Sequence, residues 1–386
     1  MSYRAGTYDD SHRPLIDLIP NDSLYVSDEE DGFYDGEDNY LINPKWKASV
    51  QRVCNHIPRR LQRYLAIYIG LLVAAWLVWQ TFFSASYNEH QQQIALMDST
   101  TKETFGSNLR PHFKHMIQVG TMDKKHLPVE DKRLIVIGDV HGCKEELQAL
   151  LEKVGFDADN DHVILTGDMI NKGPDSPGVV SFVEKIGASS VRGNHEDRIL
   201  LTITDMENSH VALPGPQENA NRTNDTLEEE SFSQGDYKIR KLAKKFSKKQ
   251  IAWLRERPVI LRVGHVHGMG DVVVVHAGLV PDIPLEQQDP YQVMNMRTID
   301  LKTRVPSENR DGTPWEKFWN HRQKKLPSHK RMTVIYGHDR KRGKNIQKYS
   351  KGLDSGCVGG GHLTALVIDS KGKNKYVQVK CKQYID

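Results

Sequence analysis

Five short β-type runs in this chain each end on a side chain that can ligate a metal, and they do so in a fixed order. LIVIGDVHG closes on Asp139 and His141, VILTGD on Asp168, VRGNHE on Asn194 and His195, VVVVHAG on His276, and TVIYGHD on His338. A single Gly-Asp or Gly-His dipeptide is a common turn. Five in succession, each at the C-terminal end of an apolar run, form a pattern that scattered turns and packed histidines do not produce. A helical pattern such as KEELQALLEKVG follows the first run, so strands alternating with helices predict an α/β domain. In such domains ligands bind at the carboxyl ends of the strands.

The domain begins near residue 131 and runs to about 382; what precedes it is organised differently. Residues 1–63 start polar and acidic, with Asp28-Glu29-Glu30-Asp31 and then Asp35, Glu37 and Asp38, a composition that does not support a packed core. Tyr64 to Phe83 reads YLAIYIGLLVAAWLVWQTFF, with no charge between Arg63 and Glu89. About 20 apolar residues match the roughly 30 Å hydrocarbon layer, so 64–83 is expected to be one transmembrane helix. Lys45, Lys47, Arg52, Arg59, Arg60 and Arg63 precede it, whereas Glu89 and Asp98 come first after it. The positive-inside rule then places the N-terminus in the cytoplasm and the domain that follows on the lumenal side, a type II topology. Two sequons, at Asn221 and Asn224, fall on the side where glycosylation occurs. Residues 84–130 read as a polar stalk.

GDVHG, GD with a short loop, RGNHE, HAGL and a late GH together resemble the motif set of the calcineurin-like metallophosphoesterases, in their phosphoprotein-phosphatase branch. The ending GLDSGCVGGGHLTALVID is closer to the diadenosine-tetraphosphatase-like (ApaH-like) subgroup. With its anchor, the chain is similar to the fungal vacuolar polyphosphatases that depend on zinc. The resemblance implies a central β-sandwich flanked by helices and a pair of divalent ions. One ion would be held by Asp139, His141 and Asp168, the other by Asp168, Asn194, His276 and His338, with Asp168 bridging. His195 would be the general acid, with Arg192 and Lys172 near the phosphate. Two divalent ions, two carboxylates and a hydroxide leave such a site net positive, as an anionic phosphate requires. Mixed N/O ligation suits Zn²⁺, Mn²⁺ or Fe better than Ca²⁺, and zinc is what the resemblance implies.

Gly264-His265-Val266-His267 imitates a metal motif but falls at a hairpin turn, while His276 ends the following strand. Five residues at about 3.3 Å put the two roughly 15 Å apart, so His265 and His267 are read as a solvated or packed pair. Asn171 stands where the family carries an aspartate behind the catalytic histidine, and Lys172 where it carries an arginine. A neutral amide orients a histidine but does not stabilise its imidazolium. Weaker acid assistance matters least when the leaving group is itself a phosphate, so both departures favour phosphoanhydrides. Inorganic polyphosphate is the expected substrate; dinucleoside polyphosphates and phosphoproteins are the alternatives. The basic run YKIRKLAKKFSKKQIAWL reads as an amphipathic helix or as a track for such a polyanion. A net charge of only +3 singles out no nucleic-acid partner. Cys54, Cys143, Cys357 and Cys381 show no C-x-x-C spacing, and a disulfide among the last three stays open.

Overall fold

The computed structural model describes residues 58–99, 116–209 and 237–385, together with Trp46. The acidic tail and the sequons at Asn221 and Asn224 lie outside these residues. The chain divides into two compact units, Met1–Phe83 and Ser84–Asp386. In the first, the helix Arg59–Val78 passes into a π-helical turn, Trp79–Phe83, and no residue of either is buried. The helix Arg59–Asp98 is long and apolar enough to cross a membrane, by length and composition.

The second unit is built on two large sheets. The five-stranded sheet has the spatial order Asn374–Lys380, His362–Ile368, Arg133–Ile137, Asp161–Leu165, Ser189–Ser190. The six-stranded sheet runs Val119–Thr121, Ile260–Val266, Gly270–Val275, Met332–Tyr336, Ser350–Gly352, Asn345–Ile346. Side chains alternate across each strand, and both faces are covered. Leu134 and Val136 pack with Val272, Val274 and Ile335 in one apolar layer, whereas Ile135 and Ile137 pack with the helical Leu147, Leu150 and Ile199. On the far side Val273, Val275 and Val334 meet Trp315 and Phe318 of the helix Trp315–Lys325. The result is the expected helix-flanked sandwich. It also explains why these strands read as unbroken apolar runs and not as alternating ones.

Residues 84–130 contain more structure than a stalk. The helix Ser84–Asp98 buries Met97 in the Trp315 cluster, and the strand Val119–Thr121 pairs in parallel with Ile260–Val266. The helix docks mainly through polar contacts. Arg304 donates to the carbonyls of Leu96 and Ser99 at 2.9 and 2.8 Å, Lys317 to Gln93 Oε1 at 2.7 Å, and His321 and Lys325 both reach Asp98. A helix held this way carries no apolar stripe for sequence reading to find. Cys357 and Cys381 form a disulfide, and Cys143 is buried and free.

Candidate active site and metal centre

Parallel pairing assembles the site. Ile137 pairs with Leu165, and Leu165 with Ser190, so Asp139, Asp168 and Asn194 leave neighbouring strand ends. In the other sheet Val274 pairs with Ile335, which brings His276 and His338 off adjacent ends. The two sheets are joined at this edge. His276 Nδ1 donates to the Thr166 carbonyl at 2.9 Å and His338 N–H to Asp139 Oδ2 at 3.0 Å.

The glycines before Asn194 and His338 have a steric cause. A Cβ on Gly337 would lie 1.9 Å from Asp139 Oδ1, and one on Gly193 would lie 2.2 Å from Asp168 Oδ1. The chain crosses the carboxylates too closely for any side chain. Backbone strain collects at the same place: His141, Asp168, Asn171, Lys172 and His338 are five of the eight described non-glycine residues with positive φ.

Asp168 is the centre of the arrangement. Its Oδ2 lies 3.3 Å from His276 Nε2, 3.6 Å from His141 Nε2 and 3.8 Å from His195 Nε2. His276 Nε2 is 3.0 Å from Asn194 Oδ1. Among the described residues, the donor atoms of His141, Asp168 and His195 lie within 4.8 Å of one another, as do those of Asp139, Asp168 and His276. Two donors each about 2.1 Å from one ion stand roughly 3–4 Å apart, so these spacings are those of ligands sharing a cation. Three ring orientations agree. His141 Nδ1, His276 Nδ1 and His338 Nε2 face the carbonyls of Ile170, Thr166 and Asn295 at 3.2, 2.9 and 2.9 Å. A carbonyl only accepts, so each of these nitrogens carries the proton and the other keeps its lone pair for an ion.

The electrostatics favour positive charge at the centre. Burial pushes Asp139 well up, with Asp354 adding to it, and burial pushes Asp354 up to about 6. Burial would lower His276, but the Asp168 charge overrides it and holds the ring near about 10. Burial, helped by the Lys172 charge, lowers His141 to about 3, and burial also lowers His195 and His338. Burial would raise Asp168 too, but the charges of His276, His195 and His141 hold it well down, so the cluster favours positive charge around Asp168.

A cavity of about 230 Å³ opens on this centre, lined by His141, Asp168, Lys172, Asn194, His195 and His338 and by Arg297, Arg310, Arg340, Lys341 and Asp354. Lys172 therefore faces the site, and Asn171 Nδ2 lies 2.8 Å from His195 Nδ1. Arg192 does not. It is buried, with Nη1 3.3 Å from Asp197 Oδ1 and Nη2 donating to the Arg255 carbonyl at 2.9 Å, and it is not among the residues that line the cavity. His265 and His267 are exposed at the hairpin turn, His265 facing Asp271 at 3.3 Å. The lysine-rich run also stands outside. Its Ile239, Ala243 and Phe246 pack into the core, while Lys241, Lys244 and Lys248 are exposed and line no part of the cavity.

Two kinds of residue escaped the sequence reading. Arg340 and Lys341 directly follow His338-Asp339, and that adjacency was a usable signal; Arg297 and Arg310 sit in stretches without one. Glu196 closes the RGNHE motif. Its Oε2 accepts from the N–H groups of Asp168 and Gly193, each at 2.8 Å, and its Oε1 from those of Met169 and Ile170 at 2.8 and 3.2 Å. All four partners are donors, so the ionised carboxylate is the form this geometry serves.

Known proteins are similar to this chain. The chain is 29% identical over 295 residues to the zinc-dependent endopolyphosphatase of Saccharomyces cerevisiae, an alignment covering 71% of this chain and 89% of that one. It is 25% identical over 297 residues to the symmetrical bis(5'-nucleosyl)-tetraphosphatase of Wigglesworthia glossinidia brevipalpis, covering 61% of this chain and 96% of that one. A solved structure assigned as a diadenosine tetraphosphatase superposes with a TM-score of 0.52 at 31% identity, covering 69% of this chain and 99% of the other. The family model for calcineurin-like phosphoesterases matches residues 132–360, the stretch that holds every side chain lining the cavity. The chain belongs to the calcineurin-like phosphoesterase family.

Proposed function

We propose that this protein is a membrane-anchored hydrolase of phosphoanhydride bonds, acting on inorganic polyphosphate in the lumen of the vacuole. The observation that carries the substrate reading is the cavity wall. Lys172, Arg297, Arg310, Arg340 and Lys341 surround a single opening over the Asp168 centre. Five cations are more than one phosphate group needs and suit a chain of them. The similarity to the yeast endopolyphosphatase supports the same substrate.

The ions proposed are two divalent cations, Zn²⁺ first and Mn²⁺ or Fe as alternatives. Asp139, His141 and Asp168 would hold one; Asp168, Asn194, His276 and His338 would hold the other. When bound, they supply Lewis acidity and positive charge at the reacting phosphate. The residues of the chain do the positioning. Lys172 and the arginines hold non-bridging oxygens, and His195 faces the cavity from beneath. A water oxygen bonds to phosphorus as that water releases a proton to solvent, the bridging P–O bond breaks, and its electron pair leaves on the departing phosphate. That group carries the charge itself, which is why weak acid assistance suffices.

The apolar helix, the basic residues before it and the Cys357–Cys381 disulfide support a type II anchor with the domain in an oxidising lumen. On this reading residues 1–63 are cytoplasmic, 64–83 span the bilayer, and Asn221 and Asn224 carry glycans. A mobility shift on glycosidase treatment, lost in Asn221→Gln/Asn224→Gln, would support that topology.

A second reading, hydrolysis of dinucleoside tetraphosphates, is favoured by the similarity to the Wigglesworthia enzyme. The deciding experiment compares the purified full chain on polyphosphate, diadenosine tetraphosphate and a phosphoserine peptide, with Zn²⁺, Mn²⁺ and Mg²⁺ in turn. An internal-cut ladder from polyphosphate is expected. Preferential turnover of the dinucleotide would favour the second reading, and turnover of the phosphopeptide faster than both anhydride substrates would refute the two together.

A further inference from the structure

We propose that Asn171 locks His195 as the neutral tautomer protonated on Nε2, making it a fixed hydrogen-bond donor to the substrate, neither a metal ligand nor an imidazolium acid. The inference deepens the phosphoanhydride reading and rests on it for the substrate, but not for the tautomer.

The argument follows hydrogen-bond directions. Asn171 sits in the left-handed region at φ 74°, its N–H donating to Ser176 Oγ at 2.9 Å. Its Oδ1 accepts the N–H of Lys172 at 2.8 Å. A main-chain N–H can only donate, so the amide oxygen must face Lys172 and the amide nitrogen must face the other way. That nitrogen lies 2.8 Å from His195 Nδ1. An amide NH₂ also only donates, so Nδ1 must present a lone pair. The one proton of the neutral ring is then on Nε2, toward the cavity that His195 lines.

The three other site histidines have the opposite arrangement. Behind His141, His276 and His338 stand carbonyl acceptors, which leave a lone pair for an ion. Behind His195 stands a donor. Spacing alone would admit His195 as a third ligand beside His141 and Asp168, because their donor atoms all lie within 4.8 Å. A nitrogen that bears a proton cannot ligate, so the amide decides against it. The same proton is aimed at an oxygen of the bound phosphate chain. It stabilises the charge left on the departing phosphate when the bridging P–O bond breaks, and it stays on the ring. An alkoxide leaving group, which needs the proton itself, gains little.

The test uses the full chain labelled with [¹⁵N]histidine and loaded with Zn²⁺, the His195 ring signals being identified by their loss in His195→Gln. A protonated Nε2 with an unprotonated Nδ1 is expected; the reverse tautomer or a doubly protonated ring overturns the proposal. Zinc content of His195→Gln should equal that of the parent, and loss of a bound equivalent would make His195 a ligand after all. Asn171→Asp restores a charged acceptor behind the ring. It should raise the ratio of alkyl-phosphate to tripolyphosphate turnover about 10²-fold, the low end of general-acid contributions, and an unchanged ratio would count against the proposal. If the parent cuts no anhydride at all, the functional reading fails while the ring-nitrogen spectrum still decides the tautomer.

Discussion

Replacing Glu196 by glutamine should loosen the catalytic loop although no atom of that side chain faces the cavity. Its two carboxylate oxygens accept four main-chain N–H groups, from Asp168, Met169, Ile170 and Gly193, and the residue is fully buried. The amide is nearly isosteric but turns one oxygen into a donor. Two buried N–H groups then face an NH₂ group. At ~1.5–3 kcal/mol for each hydrogen bond to a charged group, the loss is ~3–6 kcal/mol. A domain of this kind is stable by only ~5–15 kcal/mol, so the change is severe. With an m-value near ~3 kcal/mol/M, the urea midpoint should fall by ~1–2 M. Amide exchange at Asp168 to Lys172 should accelerate, because these four contacts hold a loop in which Asp168, Asn171 and Lys172 all have positive φ. The control is Glu256→Gln, whose side chain is 69% exposed and which should stay within about 0.5 kcal/mol of the parent. A Glu196→Gln midpoint within ~0.2 M of the parent would refute the reasoning.

Other outcomes follow from the same structure. Cys357→Ser should cost ~3.5 kcal/mol in unfolding experiments, the loop entropy for a sequence separation of 24, and reductant should do the same to the parent but not to the variant. Arg340→Ala with Lys341→Ala should raise KM for long polyphosphate more than for tripolyphosphate, whereas Lys244→Glu, outside the cavity, should leave both unchanged. Hydrogen bonds from His321 and then Lys325 hold Asp98 down at about 2. A lowered carboxyl stabilises the fold above its unfolded value and stops doing so as the pH falls through the folded one. Asp98→Asn should therefore increase proteolysis after the helix Ser84–Asp98 at neutral pH and remove any change in that cleavage between pH 4 and 2.

The sequence revealed most of the site because the site is made of strand ends, and strand ends are local. Asp139, Asp168, Asn194 and His338 each follow a strand and a glycine, His276 follows its apolar run directly, and at Gly193 and Gly337 a carboxylate leaves no room for a Cβ. What was hidden depends on direction and distance. Arg192 sits in the same motif as Asn194 and His195, but its side chain turns to Asp197, and no local pattern encodes that turn. Arg297 and Arg310 reach the cavity from connecting segments, with neither periodicity nor motif to mark them. The helix Ser84–Asp98 was read as stalk because it docks through Arg304, Lys317, His321 and Lys325, partners more than 200 residues away. The choice of Cys357 and Cys381 over Cys143 likewise needs the third dimension, where Cys143 is buried and unpaired.

Metal content per chain, measured on the purified full-length protein and on Asp168→Asn after equilibration with Zn²⁺, tests the central claim most directly. A bridging Asp168 requires two equivalents in the parent and one or fewer in the variant. Two tightly held equivalents in the variant, or none in the parent, would contradict the account.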